Sequence, residues 1–150
     1  MLATTHSLVS ALIITESPSP YIGMPLVLVF HYIFDLIPHW DTGSGMTKGL
    51  KTRRIAFLET VIDLIIAFGL VFFLFQKGKP FLPWLWGAII LGILPDLLEF
   101  PALFFQFRPF PLINSLEKFH TNIMHKSGKL PWGLIYQIVI ILTILWFIKR

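Results

Sequence analysis

The chain has 150 residues, of which 55% are hydrophobic and 13% charged, with a net charge of +4 and no cysteine. Soluble domains carry about 25% charged residues, so this composition, with a mean hydropathy of +0.76, predicts one integral membrane domain over residues 1–150. The lack of cysteine excludes disulfides, thiolate nucleophiles and cysteine-bound zinc, and the absence of a regular basic–aromatic pattern argues against a nucleic-acid partner.

Five apolar segments, separated by polar or proline-rich turns, predict an all-α integral membrane helical bundle of about five apolar helices. The first is short for a span, because crossing the hydrocarbon takes about 20 residues, and a tilted, partly buried helix is the alternative. A short amphipathic helix is expected at Leu116–Met124. The five segments are Leu2–Thr15, Tyr21–Ile37, Ile55–Phe75, Phe81–Leu94 and Leu130–Ile148.

Ionisable residues recur at helical spacing where the second segment ends. His31, Asp35 and His39 are each four residues apart, which places them on one helix face. Pro38 ends or kinks the helix. Together with Asp41 these groups form a candidate metal half-site. The alternative is a polar helix end at the membrane surface, with the deeper His31 as a buried core histidine.

The third segment contains two acidic residues, Glu59 and Asp63, on one face. A charge near the bilayer centre costs about 2.5–3.5 kcal/mol, and two carboxylates side by side repel each other unless a cation or proton intervenes. We therefore expect both to belong to a buried cation or proton site. The alternative is a position near the interface, paired with Lys51, Arg53 or Arg54.

The fourth segment leads into Asp96 and Glu99, which are three residues apart and face together. Here the alternative is a simple helix end ahead of a proline. His6 and His120 complete the candidates, although His6 is equally compatible with an ordinary N-terminal histidine. His120 and His125 are five apart, which is poor helical spacing for two ligands of one metal.

These candidates fall on one side of the membrane if all five segments cross it. The helix ends on that side carry every histidine and every carboxylate except Glu16, with His31 one turn deeper. The same side carries eight of the 12 lysines and arginines. By the positive-inside rule, we expect this side to face the cytoplasm.

Three short motifs resemble those of the membrane-bound metal-dependent hydrolase-like proteins of bacterial and archaeal inner membranes. They are Ala3-Thr-Thr-His6-Ser-Leu, Asp35-Leu-Ile-Pro-His39-Trp-Asp41 and Gly92-Ile-Leu-Pro95-Asp96. The family places Thr-His-Ser near the start and Leu-Pro-Asp-x-Asp-His at a helix end. The chain departs from it at Leu98, where the second Asp would stand, and at Pro38, which follows Asp35 instead of preceding it.

The resemblance implies a prokaryotic inner-membrane protein in which His6, Asp35, His39 and Asp96 have metal roles. More distantly, His and Asp ligands on a helical bundle are similar to zinc-dependent phospholipase C and the P1-type nucleases.

The first hypothesis is a metal-dependent hydrolase acting on an ester or phosphoester, including one carried by a lipid of the surrounding bilayer. A bound Zn²⁺, with Mn²⁺ or Fe²⁺ as alternatives, lowers the pKa of a bound water toward about 7. Glu99 and His120 are the candidates for ligand or general base. The expected metal ligands are His6, Asp35, His39, Glu59, Asp63 and Asp96. Two alternatives stay open: a small proton- or cation-coupled transporter, and a non-catalytic membrane protein with a structural ion.

Overall fold

All regular elements in the described part of the chain are helices, which confirms the all-α class. The structure, a computed structural model, describes residues 1–46, 49–107, 110–124, 126 and 128–150. Short π-helical segments extend α3 and α5, at Phe72–Gln76 and His120–Met124. The α-helices are α1 (Ala3–Glu16), α2 (Pro20–Asp35), α3 (Arg53–Val71), α4 (Pro83–Phe105), α5 (Pro111–Phe119) and α6 (Trp132–Ile148).

Helix α1 forms the centre of the bundle and packs against α2, α3, α4 and α6. Its 14 residues make a helix of about 21 Å, which is too short to cross about 30 Å of hydrocarbon. Nine of the 14 residues are buried. The neighbouring helices therefore shield α1, in agreement with the alternative of a partly buried helix.

Within the described residues, two helices are long and apolar enough to cross a membrane. They are Arg53–Gln76, with a mean hydropathy of 2.3, and Pro83–Phe105, with 1.9. Only 17% and 28% of their most apolar windows are buried inside the protein, so most of this apolar surface faces outward, as a bilayer requires. Helices α2 and α6 are shorter, and five spans therefore stay a prediction.

Helix α4 is longer than its apolar pattern predicts. The pattern indicated an end at Leu94, but the helix continues through Pro95 and Pro101 to Phe105 and ends at Gln106, whose φ is 57°. A proline inside a helix removes one backbone hydrogen bond, and the aromatic packing of Phe100 and Phe104 on α3 holds the helix together beyond it. Asp96 consequently lies inside the helix.

Helices α1, α2 and α4 pack closely together at Gly92. A Cβ atom on Gly92 would lie 2.0 Å from Ser10 Oγ and 3.2 Å from Val27 Cγ1, so only glycine lets the three helices meet there. Side chains four residues away lie one helical turn along from this contact. In the three helices those residues are His6, His31 and Asp96.

Candidate metal centre

Asp35, the last residue of α2, is fully buried and has four imidazoles around it. His120 Nε2 and His31 Nε2 lie 2.8 and 3.4 Å from its Oδ2 atom. His6 Nε2 and His39 Nε2 lie 3.1 and 3.7 Å from its Oδ1 atom. The four rings come from α1, α2, the segment after α2 and the π-helical segment after α5.

Two of these imidazoles and two carboxylates form a group that could hold a metal ion. His31, Asp35, Asp96 and His120 each offer one ligand atom, and these atoms all lie within 4.8 Å of one another. In a tetrahedral site with metal–nitrogen distances of about 2.0–2.1 Å, neighbouring ligand atoms are about 3.3 Å apart. His31 Nε2 and His120 Nε2 are 3.3 Å apart. This pair has the spacing of neighbouring ligands, whereas Asp96 Oδ1 lies 3.9 Å from His120 Nε2, and the Asp96 side chain is 31% exposed.

The far ring nitrogens of three histidines have oxygen acceptors. His31 Nδ1 lies 2.7 Å from the Gly92 carbonyl oxygen and His39 Nδ1 lies 2.8 Å from the Ile37 carbonyl oxygen. Carbonyls only accept, so both Nδ1 atoms carry a proton, and in the neutral ring each Nε2 atom then presents a lone pair. His120 Nδ1 is 2.6 Å from Glu99 Oε1. Metal-binding histidines are held in this way.

Positive groups lie beside the buried Asp35 carboxylate in the structure. Burial lowers the pKa of His120, but its hydrogen bonds to Asp35 and Glu99 outweigh that effect and raise its pKa to about 10. The Met1 amino nitrogen lies 2.6 Å from Asp35 Oδ1. Burial lowers the pKa of this group too, and the attraction of Asp35, Asp96 and Asp41 raises it above its ordinary value. The site thus favours positive charge.

The two acids of α3 have other partners in the structure. Glu59 forms an ion pair with Lys51, as in the interface alternative. Asp63 accepts hydrogen bonds from Ala3 N and Thr4 Oγ1, both at 2.6 Å, at the start of α1. Neither acid belongs to the four-residue cluster, and the prediction that they bind metal gains no support from these contacts.

The remaining predicted residues lie at the centre. His6 and His39 contact Asp35, and Glu99 and His120 form the hydrogen bond given above. His125 lies outside the described residues. Sequence reasoning omitted His31 from the ligand set because it lies one turn deeper. Its spacing of four residues from Asp35 was the signal that could have included it.

No family model, curated protein or solved structure matches the chain. The likeness to membrane-bound metal-dependent hydrolases therefore stays a resemblance of short motifs, and the case for a function depends on the geometry of the site.

Proposed function

We propose that this protein is a membrane-embedded metal-dependent hydrolase that acts on an ester or phosphoester at one end of its helical bundle. The observation that carries the proposal is the shared orientation of His31, His39 and His120. In each ring Nδ1 contacts an oxygen acceptor and Nε2 is directed at Asp35. Such rings, with a central carboxylate, are the donor set of catalytic metal sites.

Four residues are the candidates to hold the ion: His31, Asp35, Asp96 and His120. Imidazole nitrogen and carboxylate oxygen, without sulfur, suit Zn²⁺, Mn²⁺ or Fe²⁺, and we propose Zn²⁺. A catalytic ion keeps one position for water, so three of these four side chains would hold it, and it would lower the pKa of that water to about 7.

The protein's own side chains divide the remaining tasks. Asp96 is partly exposed and lies where a substrate reaches the cluster. Glu99 fixes the His120 ring through Nδ1 and is itself partly exposed. It is therefore the candidate acid–base group at the mouth of the site, within one hydrogen bond of a cluster residue.

A groove between the start of α3 and the end of α4 supports a lipid-linked substrate. Its volume is about 380 Å³. Phe104, which forms part of its wall, lies eight residues beyond Asp96 on α4, about 12 Å along the helix axis. Aromatic and aliphatic side chains together with two guanidinium groups suit an acyl chain with an anionic head group. The groove is lined by Arg53, Arg54, Phe57, Leu58, Phe104 and Phe105.

The test combines metal analysis with hydrolysis by the full chain in detergent. The wild type, loaded with Zn²⁺, Mn²⁺ or Fe²⁺, is expected to retain metal through gel filtration and to hydrolyse bis(p-nitrophenyl) phosphate or p-nitrophenyl butyrate. Asp35→Asn should lose both properties, because it removes the charge at the centre of the cluster. Glu16→Gln, an exposed acid-to-amide change away from the site, is the matched control.

Two results would contradict the proposal. If the wild type bound negligible metal, equal to that in Asp35→Asn, the protein would not be a metalloenzyme. Metal bound in full without hydrolysis of either substrate would favour the non-catalytic protein with a structural ion.

A further inference from the structure

The Asp35 carboxylate divides its two oxygens between two pairs of imidazoles. Oδ2 lies 2.8 and 3.4 Å from His120 Nε2 and His31 Nε2, while Oδ1 lies 3.1 and 3.7 Å from His6 Nε2 and His39 Nε2. A carboxylate with nitrogen donors on both oxygens has the arrangement of a bridge between two cations. The four-residue cluster accounts for the Oδ2 side alone.

The two oxygens of Asp96 also lie near different imidazole pairs. Its Oδ1 lies 3.9 Å from His120 Nε2 and its Oδ2 lies 3.9 Å from His6 Nε2. Two carboxylates, one at the end of α2 and one inside α4, thus present one oxygen to each of the same two sides.

We propose a second metal position on the Oδ1 side of Asp35, formed by His6 Nε2, His39 Nε2, Asp35 Oδ1 and Asp96 Oδ2. The proposal rests on the proposed function, because the first ion would occupy the cluster already described. It also adds to that function, because two ions about 3.5–4 Å apart stabilise both the attacking and the leaving oxygen in a displacement at phosphorus. The second position therefore favours a phosphoester as substrate.

The two histidines of the second position are buried, and a backbone carbonyl holds one of them. His6 and His39 are both buried, and the Ile37 carbonyl fixes the proton of His39 on Nδ1, which leaves the Nε2 lone pair directed at Asp35. Asp41 Oδ2 lies 3.7 Å from the same Nε2 atom and adds a further oxygen. These spacings are close to the roughly 3.3 Å between ligands of a bound ion.

A positive group already lies beside Asp35 Oδ1 in the structure. The buried Met1 amino nitrogen is 2.6 Å from Asp35 Oδ1, so the second position accommodates a cation. A metal ion there would compete with the amino group for Oδ1, and the number of ions bound per chain decides between them.

The experiment is a Mn²⁺ titration of the full chain in detergent after chelation, read by metal analysis and by electron paramagnetic resonance. A C-terminal purification tag leaves the Met1 region unchanged. We expect two Mn²⁺ per chain and the spin-coupled signal of a bridged pair. His39→Gln should bind one Mn²⁺ with the six-line signal of an isolated ion. Glu16→Gln should match the wild type.

One Mn²⁺ per wild-type chain with an isolated-ion signal would overturn the second position and leave the proposed function standing. Two coupled Mn²⁺ in His39→Gln would overturn it as well. No Mn²⁺ in the wild type would overturn the second position, and it would overturn the proposed function only if the wild type also retained no Zn²⁺. If His39→Gln fails to fold, as judged by helical circular dichroism, Asp41→Asn replaces it. Asp41→Asn is expected to bind the second ion at least tenfold more weakly than the wild type does. A smaller loss of affinity counts against the proposal.

Discussion

The histidines of the site are oriented by the groups that contact their far ring nitrogens. A histidine is an effective ligand when its far nitrogen is held by an acceptor that fixes both tautomer and ring angle. For His120 that acceptor is Glu99, 21 residues earlier in the chain, at 2.6 Å. The Gly92 carbonyl does the same for His31 from another helix.

Glu99→Gln should weaken metal binding without abolishing it. The amide oxygen still accepts a hydrogen bond from His120 Nδ1, but the negative charge that strengthens the ligand is lost. Changes of this kind cost about 10–100-fold in metal affinity. Competition with a chelating dye measures the affinity, with Glu16→Gln as control. Equal affinities in Glu99→Gln and the wild type would show that the contact is structural.

Metal affinity should rise with pH. Because the pKa of His120 is about 10 in the metal-free protein, its proton must leave before Nε2 binds metal at neutral pH. The apparent affinity therefore increases by up to about tenfold per pH unit between pH 6 and 8 for each proton released. Calorimetry in buffers of different ionisation enthalpy counts those protons. An affinity independent of pH would mean that the site is already deprotonated.

At the scale of helices, α1 depends on its neighbours at both its start and its middle. No side chain at Leu2 caps the helix. The Asp63 carboxylate, from α3, accepts from Ala3 N and from Thr4 N and Oγ1. Gln137, from α6, accepts from Leu2 N. Since α1 carries His6, these contacts position the site.

Asp63→Ala should lower stability rather than remove a ligand. It leaves buried donors of α1 unsatisfied, at a cost of about 1–3 kcal/mol in the free energy of unfolding. Glu59→Ala, which breaks an ion pair that is partly open to solvent, should cost about 0–1 kcal/mol. Thermal unfolding in detergent compares the two. Lost metal with an unchanged unfolding midpoint would instead place Asp63 among the ligands.

Gly92→Ala should disturb the contact of α1, α2 and α4. The new Cβ would meet Ser10 Oγ at 2.0 Å, and overpacking of this kind costs about 1–3 kcal/mol. Metal affinity should fall too, because the Gly92 carbonyl holds His31. The control is Gly69→Ala, where no atom lies within 4 Å of the new Cβ and helix propensity improves by up to about 1 kcal/mol. Equal unfolding midpoints for the two variants would contradict this prediction.

For the whole molecule, the candidate site lies at one end of a bundle with outward-facing apolar surface. Helices α1 and α3 begin, and α2 and α4 end, at that end. The contacts of Ala3 with Asp63 and of His6 with Asp35 establish this arrangement, as does the packing of Phe57 on Phe100. The turn between α3 and α4 lies at the opposite end.

Cysteine labelling tests which end faces the cytoplasm. The chain has no cysteine, so Lys79→Cys, in the α3–α4 turn, and Lys129→Cys, at the site end, each introduce a single thiol. Both side chains are exposed. From the excess of basic residues at the site end, we expect a membrane-impermeant maleimide to label only Lys79→Cys in spheroplasts. Labelling of Lys129→Cys alone would reverse the orientation.

The sequence by itself determined the helical class and the residue types of the site. Apolar segments and four-residue spacings are local properties, and they placed Asp35 and His39 at a helix end before any packing was known. Asp96 and His120 also followed from the expectation that the polar helix ends gather on one side. That expectation requires only that the chain reverses direction at each turn between helices.

The tertiary structure alone decided which acids meet the histidines. Asp63 and Asp96 look alike in the sequence, as acids in apolar helices, yet one accepts from the start of α1 and the other lies in the cluster. His31 joins the cluster because Gly92 lets three helices approach closely and offers a carbonyl to Nδ1. Such choices depend on interhelical distances, which no local pattern along the chain records.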